Sequence, residues 1–257
     1  MVSVRIKVIT YNIHRAIGVD RRFRPERVLA VLAHYDADLV LLQEVDEGVP
    51  RSREMDLAQE LAQAAGYDHY AVGHNVSLRR GRYGNATLSR FPIVRERNVD
   101  LTIPNQNLAG SWIRRGCQHT SLEIPTADGA APRRLEVFNL HLGLSARERE
   151  KQVGLLVNCS EFREIAPAVP TLVGGDFNDW RSLLQPIFTE VFGFGCATAR
   201  RNGIGVTPTY PSFSPQGGLD RLYFRGGLRL AGAHSCRLRV SRVASDHLPV
   251  IAEFELE

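Results

Sequence analysis

Thr171-Leu172-Val173-Gly174-Gly175-Asp176-Phe177-Asn178 is the stretch on which the reading of this chain turns. It opens as a short apolar run suited to a buried strand and stops at two glycines, a carboxylate and an amide. The same design recurs elsewhere. The strand expected over Val4–Tyr11 runs into Asn12-Ile13-His14, and the apolar strand Asp38–Leu42 runs into Gln43-Glu44. The strand at 134–141 ends in Asn139-Leu140-His141, and Ser245-Asp246-His247 leads straight into an apolar strand at 249–256. In α/β proteins ligands gather at strand ends, where loops are free of ladder hydrogen bonding yet held by a rigid scaffold. One such polar end alone reads as a cap or surface feature. The whole set, spread along the chain, reads as one site.

Working outward, helices are expected over Arg24–Tyr35, over Met55–Ala65 with Gly66 as its stop, and over about 145–165. Further strands are expected near 69–74, 84–89, 93–101, 111–124, 219–224 and 228–240. The Pro- and Gly-rich loop at 207–218 carries Tyr210 and Phe213 and reads as packed or substrate-facing. No linker or low-complexity tract divides the chain. The expectation is one α/β domain, a sandwich of two facing mixed sheets with helices on the outer faces.

Composition sets the bounds. A chain of 257 residues, 44% hydrophobic and 23% charged, is neither disordered nor fibrous. No apolar run approaches the roughly 18 residues of a membrane span. The opening Met1–Val8 interleaves charges with apolar residues, unlike a signal peptide, so a cytoplasmic protein is expected. Net charge is +4, and only Lys7 and Lys151 of the 32 basic residues are lysines. Arginine suits phosphate, but a GC-rich genome also prefers its codons, so charge alone says only that an anionic partner is welcome. Cys117, Cys159, Cys196 and Cys236 are scattered and read as free thiols, not a zinc site.

The inventory at the strand ends suits phosphoester hydrolysis. Carboxylates such as Glu44 and Asp246 are hard ligands for Mg²⁺ or Mn²⁺. A carboxylate outside the metal shell can orient and deprotonate water, and a histidine can serve a leaving group or a phosphoryl oxygen. No G-x-S-x-G elbow, P-loop or G-x-G-x-x-G is present, so acyl transfer and a nucleotide cofactor have no support.

With those residues in view, the chain resembles the endonuclease/exonuclease/phosphatase superfamily, the DNase I-like metal-dependent phosphohydrolases. The resemblance runs in order through Thr10–His14, Leu42–Val45, Tyr83–Arg90, Asn139–Leu142, Gly174–Asn178, Leu219–Phe224 and Ser245–Val250. It implies a four-layered α/β sandwich. It also implies Glu44 as principal metal ligand, Asp246 as a second, and Asn12 holding both the metal site and a phosphate oxygen. Asp176 would orient or deprotonate the attacking water, and Asn178 would fix that carboxylate. His247 would contact the scissile phosphate, its imidazole oriented by Asp220, and His141 would serve the phosphate or leaving oxygen. Two departures stand out. His14 occupies a position where DNA-repair members carry an acidic ligand, and Arg221 follows Asp220 where an arginine usually precedes the Leu/Ile-Asp pair.

Other residues have plainer readings. His34, His69, His74, His119 and His234 read as structural or surface, as do Arg114-Arg115, Arg133-Arg134 and Arg200-Arg201. Tyr83 and Asn85 either build a tight strand entry or belong to the site, and Arg79, Arg80 and Arg82 form either a solvated loop or a phosphate-contacting rim. Trp180 reads as packing, with stacking on a base or ring as the alternative. The resulting expectation is a monomeric, Mg²⁺-dependent phosphodiesterase (Mn²⁺ possible) acting by in-line water attack. Nucleic acid is the first substrate guess, a phospholipid head group or small phosphate the second. A catalytically silent binding scaffold is the rival from another class.

Overall fold

In the computed structural model, residues 4–256 are described except 106–107, 109, 127–128, 130 and 201–204. The expectations for Met1–Ser3 and Arg201 fall outside the described residues. The strands are β1 (Val4–Asn12), β2 (Leu39–Glu47), β3 (His69–Ser77), β4 (Arg82–Ser89), β5 (Ile93–Asp100), β6 (Ile103–Pro104) and β7 (Trp112–Ile113). They continue with β8 (Gly116–Ile124), β9 (Arg133–His141), β10 (Thr171–Asp176), β11 (Gly195–Cys196), β12 (Asp220–Arg225), β13 (Leu228–Ser235) and β14 (Val250–Leu256). The α-helices are α1 (Pro25–Tyr35), α2 (Leu57–Ala65), α3 (Ala146–Asn158), α4 (Ser160–Arg163) and α5 (Ser241–Ala244).

Two six-stranded mixed sheets form, one ordered β13-β14-β1-β2-β4-β3 and the other β11-β12-β10-β9-β8-β5. Strand alternation explains the layering, because successive side chains point to opposite faces. Ile6 and Val8 of β1 and Leu39 and Leu41 of β2 pack against Leu135 and Val137 of β9, Leu172 of β10 and Leu222 of β12, making the core between the sheets. Ile9, Tyr11, Val40 and Leu42 face the other way, onto Val28, Val31 and Leu32 of α1 and Leu57 and Leu61 of α2. Phe138, Leu140 and Val173 do the same on the second sheet, meeting Val153 and Leu156 of α3 and Phe162 of α4. The result is a four-layered α/β sandwich, as expected.

The inter-sheet core turns polar toward one end, and this transition positions the site. Gln43 Nε2 donates to Asn139 Oδ1 at 2.8 Å, crossing from the first sheet to the second. Asn139 Nδ2 donates back to the carbonyls of Leu42 and Ala86 at 3.0 and 2.9 Å. Asn85 Nδ2 donates to the carbonyls of Gly116 and Asn139, each at 3.2 Å. Buried polar groups are costly without partners, so these contacts fix one relative placement of the sheets. Asn85 is thus a cross-sheet clamp.

Several boundaries differ from those read in sequence. The run expected as one strand over 111–124 is two, because Trp112–Ile113 pairs with Ile103–Pro104 while β8 pairs with β5 and β9. The helix expected over 145–165 breaks at Cys159, whose ψ of 156° is extended. The strand expected to reach residue 240 ends at Ser235 and gives way to α5. All four cysteines are free, two buried and two half-buried.

Candidate active site

Parallel pairing of β1 with β2 and of β9 with β10 brings Asn12, Gln43, His141 and Asp176 to one edge of the sandwich. β12 and β14 run antiparallel to their partners, so their starts lie at this same edge. Asp220 is therefore in register with Asp176, and Val250, just after Ser245-Asp246-His247, with Thr10. Asn12, His141, Asp176 and Asp220 continue the inward-facing rows of their strands beyond the apolar core.

Local backbone completes the placement. Gly175 has φ +137° and lies so close to β9 that a Cβ would sit 1.9 Å from the Leu140 carbonyl oxygen, which is why Gly-Gly precedes Asp176. The β2–β4 register shifts between Leu42 and Val45, and Glu44 within that bulge adopts φ +59°. A bulge re-aims a side chain, and here it carries Glu44 to Asn12, whose Nδ2 is 3.4 Å from Glu44 Oε1. Asn178 is also left-handed, at φ +51°. His14, Arg15 and Ala16 form a run of three positive-φ residues that begins two positions after Asn12.

The site centres on Asp176. Its Oδ2 accepts from Asn12 Nδ2 at 3.0 Å and lies 3.4 Å from His141 Nε2 and 3.6 Å from His247 Nε2. Its Oδ1 accepts from the Asn178 N–H at 2.9 Å. His247 Nδ1 pairs with Asp220 Oδ2 at 2.9 Å, so the imidazole stands between two carboxylates. Asn178 Nδ2 donates to the Leu142 carbonyl at 3.0 Å. Asn12 thereby bridges Glu44 and Asp176 with its amide nitrogen, while its Oδ1 accepts from the His14 N–H at 3.0 Å. His14 Nδ1 pairs with the Ile17 carbonyl at 2.8 Å and stands 4.0 Å from Asp246 Oδ1.

Two sets of groups could hold a cation. Asp176, Asp220 and His247 offer atoms within 4.8 Å of one another. Both ring nitrogens of that histidine already face carboxylates, an arrangement that retains protons. The second set is Glu44 with Asp246, whose side chains are 16% and 35% exposed whereas Asp176 and Asp220 are sealed. Glu44 Oε2 is buried and accepts no hydrogen bond, with Arg15 Nε 3.3 Å away as its nearest charged neighbour. A carboxylate oxygen without a hydrogen bond in Glu44 and a water-accessible carboxylate in Asp246 are the kinds of ligand that a hard divalent cation keeping part of its hydration takes.

Comparison with known proteins bears directly on this arrangement. The model of the endonuclease/exonuclease/phosphatase family matches residues 9–247. The chain belongs to that family. It is 30% identical over 261 residues to the uncharacterized protein YbhP of Escherichia coli (strain K12), covering 97% of this chain and 96% of that one. An endonuclease/exonuclease/phosphatase from Beutenbergia cavernae superposes with a TM-score of 0.77 at 21% identity, over 98% of this chain and 72% of the other. The human nocturnin catalytic domain with bound sulfate gives 0.73 at 21% identity, over 97% and 93% of the two chains. Family membership makes this chain a phosphoester hydrolase of a metal-dependent class, which removes the silent scaffold.

Electrostatics separate the two histidines of this hydrolase. Burial pushes the His141 imidazole down to about 4, leaving it neutral near pH 7. Burial also pulls on His247, but Asp220 and then Asp176 overcome it and hold that imidazole up at about 10. Burial raises the Asp176 carboxyl against the opposing pull of His247 and His141.

Some ties lay outside the sequence reading. Ser245 Oγ donates to the Asn12 carbonyl at 2.7 Å and accepts from the His247 N–H at 3.2 Å, tying β1 to the Ser-Asp-His turn. A serine two residues before a histidine is the signal for such a turn. Thr209 Oγ1 accepts from the Leu219 and Asp220 N–H groups at 3.3 and 3.4 Å, a tie with no sequence signature. Arg221 faces away from the site because it neighbours inward-facing Asp220 in β12, and it donates instead to the Asp179 carbonyl and Ser182 Oγ, each at 3.0 Å. Of the Arg79–Arg82 rim, Arg80 pairs with Glu54 and Arg82 with Glu47. His119 lies on the helix-facing side of the second sheet, 2.7 Å from Glu136 and stacked on Phe138.

Proposed function

We propose that this chain hydrolyses phosphodiesters with Mg²⁺, or Mn²⁺ in its place, by in-line attack of water without a covalent intermediate, and that nucleic acid is its substrate class. Glu44 and Asp246 are assigned to hold the cation, which when bound would neutralise charge on the phosphate and favour departure of the leaving oxygen. Asn12 donates to Glu44 and Asp176 together and so keeps the metal side and the water side of the site in fixed relation.

Asp176 is the base that orients and deprotonates the water, since burial strengthens its hold on a proton. Asn178 presents its N–H to Asp176 Oδ1, while Oδ2, which accepts from Asn12 and faces both histidines, is the oxygen turned toward the water. His247, kept protonated by Asp220, donates to a phosphoryl oxygen as charge develops there. Neutral His141 donates from Nε2 to the phosphate or leaving oxygen. The observation that carries this reading is the pairing of a sealed Asp220–His247–Asp176 row with Glu44 Oε2, which is buried and has no hydrogen-bond partner.

Nucleic acid is preferred because the polyanion suits the net charge of +4. The test is turnover of DNA, RNA, sphingomyelin, phosphoinositides and a chromogenic bis-ester with Mg²⁺, Mn²⁺ or EDTA. Cleavage of a nucleic acid that EDTA abolishes, and that Glu44→Ala and His247→Ala eliminate in folded protein, is expected. Turnover confined to lipid or to monoesters would refute the substrate assignment, and EDTA-resistant turnover would refute the metal.

A further inference from the structure

We infer that Trp180 and Tyr210 form an aromatic wall beside the reacting phosphate on which a planar ring of the substrate, a nucleobase, stacks. This rests on the nucleic-acid reading above and sharpens it. Three rings stand in sequence from the site outward. The Tyr210 ring lies 4.9 Å from the His247 ring at 53°, and the Trp180 ring meets Tyr210 edge-on at 5.7 Å and 88°. The row therefore begins on the histidine assigned to the phosphate and ends in solvent, where Trp180 is 55% exposed.

The support beneath Trp180 is rigid and buried. Its benzo ring rests on Gly217, where a Cβ would come within 2.5 Å of Cζ3, so only glycine seats the indole there. On the chain side, Asp179 is buried and accepts from the N–H groups of Leu183 and Leu184 at 3.1 and 2.8 Å. Buried Arg221 holds the Asp179 carbonyl and Ser182 Oγ. The segments flanking an exposed tryptophan are thus fixed by an internal arginine and an internal carboxylate. Burying that ion and leaving the indole outside makes little sense for stability alone, since the indole is the group that gains by burial.

Tyr210 is tied to the site as firmly. The Tyr210 N–H donates to the Gly217 carbonyl and the Gly217 N–H to the Tyr210 carbonyl, each at 2.9 Å. The Leu248 N–H donates to the Thr209 carbonyl and the Ser212 N–H to the Asp246 carbonyl, each at 2.8 Å, so the aromatic loop and the Ser-Asp-His turn form one body. A preorganised, open π surface one ring away from the phosphate-binding histidine recognises a flat ring on a phosphoester. Such stacking accepts any base, since every base has a π face.

The chain's two tryptophans allow a direct test, because Trp112→Phe leaves Trp180 as the sole indole. Titrating that variant in Mg²⁺ with adenosine 5′-monophosphate should quench the emission saturably. Ribose 5-phosphate, which carries the same phosphate and sugar without the base, should not. In parallel, Trp180→Ala should raise KM for a dinucleoside monophosphate on the order of tenfold, and Trp180→Phe should restore most of the loss. Equal quenching by both ligands, no quenching by adenosine 5′-monophosphate, or a KM that Trp180→Ala leaves unchanged would overturn the inference. Turnover of bis-p-nitrophenyl phosphate by the unaltered chain reports on the phosphodiesterase reading separately. If that ester is cleaved while the base-dependent effects are missing, the wall fails alone; if the wall's ligands bind but no diester is cleaved, the hydrolytic reading fails.

Discussion

Replacing Asp220 with asparagine removes one negative charge and almost no volume, and its effect can be worked out from the geometry. Asp220 is fully buried, and its Oδ2 stands 2.9 Å from His247 Nδ1. It is the largest of the three carboxylate influences, ahead of Asp176 and Asp246, that lift His247 to about 10 against the opposing pull of burial. With Asp176 and Asp246 left to favour the charged ring, the imidazole should hold its proton less tightly than in the unaltered chain, each tenfold loss of proton affinity costing roughly 1.4 kcal/mol. Weakening a preorganised donor to developing charge costs about 3–4 kcal/mol of transition-state stabilisation. On the role proposed for His247, a donor to charge that develops in the transition state, kcat should fall on the order of a hundredfold to a thousandfold, with KM little altered. Stability should fall as well, by about 3–5 kcal/mol, because the buried His247 charge loses its closest partner even though the amide fills the same space. The assay is steady-state hydrolysis of the bis-ester from pH 5 to 9 beside NMR titration of the His247 ring and a thermal melt. A variant with unaltered kcat, or a His247 that titrates near 6.5 in the unaltered chain, would refute the reasoning.

Glu44→Gln keeps a group within reach of Asn12 but should lower Mg²⁺ affinity at least tenfold, read by calorimetric titration, and reduce turnover on the order of a hundredfold with the melt preserved. Asn139→Leu strips donors from the carbonyls of Leu42 and Ala86 and takes one acceptor from Gln43 Nε2, which keeps Thr10 Oγ1 and the Leu41 carbonyl, so a loss of about 2–5 kcal/mol is expected in urea unfolding. In EDTA, stability should peak near neutrality. His141, pushed down to about 4, binds fewer protons folded than unfolded, so stability drops as pH falls from 6.5 toward 4. His247, held at about 10, contributes fully below 6.5, and that contribution is lost as pH rises from 6.5 to 10. Unfolding across pH checks both limbs, and His141→Gln should flatten the acid one and His247→Gln the alkaline one.

The layered architecture is legible in the sequence because apolar periodicity is a local signal. The switch from apolar to polar at each strand end is equally local, and it marks Asn12, Glu44, His141, Asp176 and His247 without any structure. Which of these groups meet is not local. Asn12 contacts Asp176 across 164 positions of chain, and Ser245 reaches Asn12 across 233. The bulge that turns Glu44 toward Asn12 depends on β4, which pairs beside β2, so nothing in Leu42-Gln43-Glu44-Val45 alone foretells it. The direction of Arg221 is a strand-parity question: once Asp220 is known to face inward, its neighbour must face out. The breaks at Cys159 and between Ile113 and Gly116 escaped because apolar residues resume beyond each, at Phe162 and at Cys117, after short polar interruptions.

The most direct measurement of where the cation sits is an anomalous difference map from crystals of the protein soaked in Mn²⁺. A peak within roughly 2–2.5 Å of Glu44 Oε2, with Asp246 reaching the ion directly or through water, is the expected result. A peak enclosed by Asp176, Asp220 and His247 with Glu44 left bare would contradict the assignment of base, proton donor and metal ligand together.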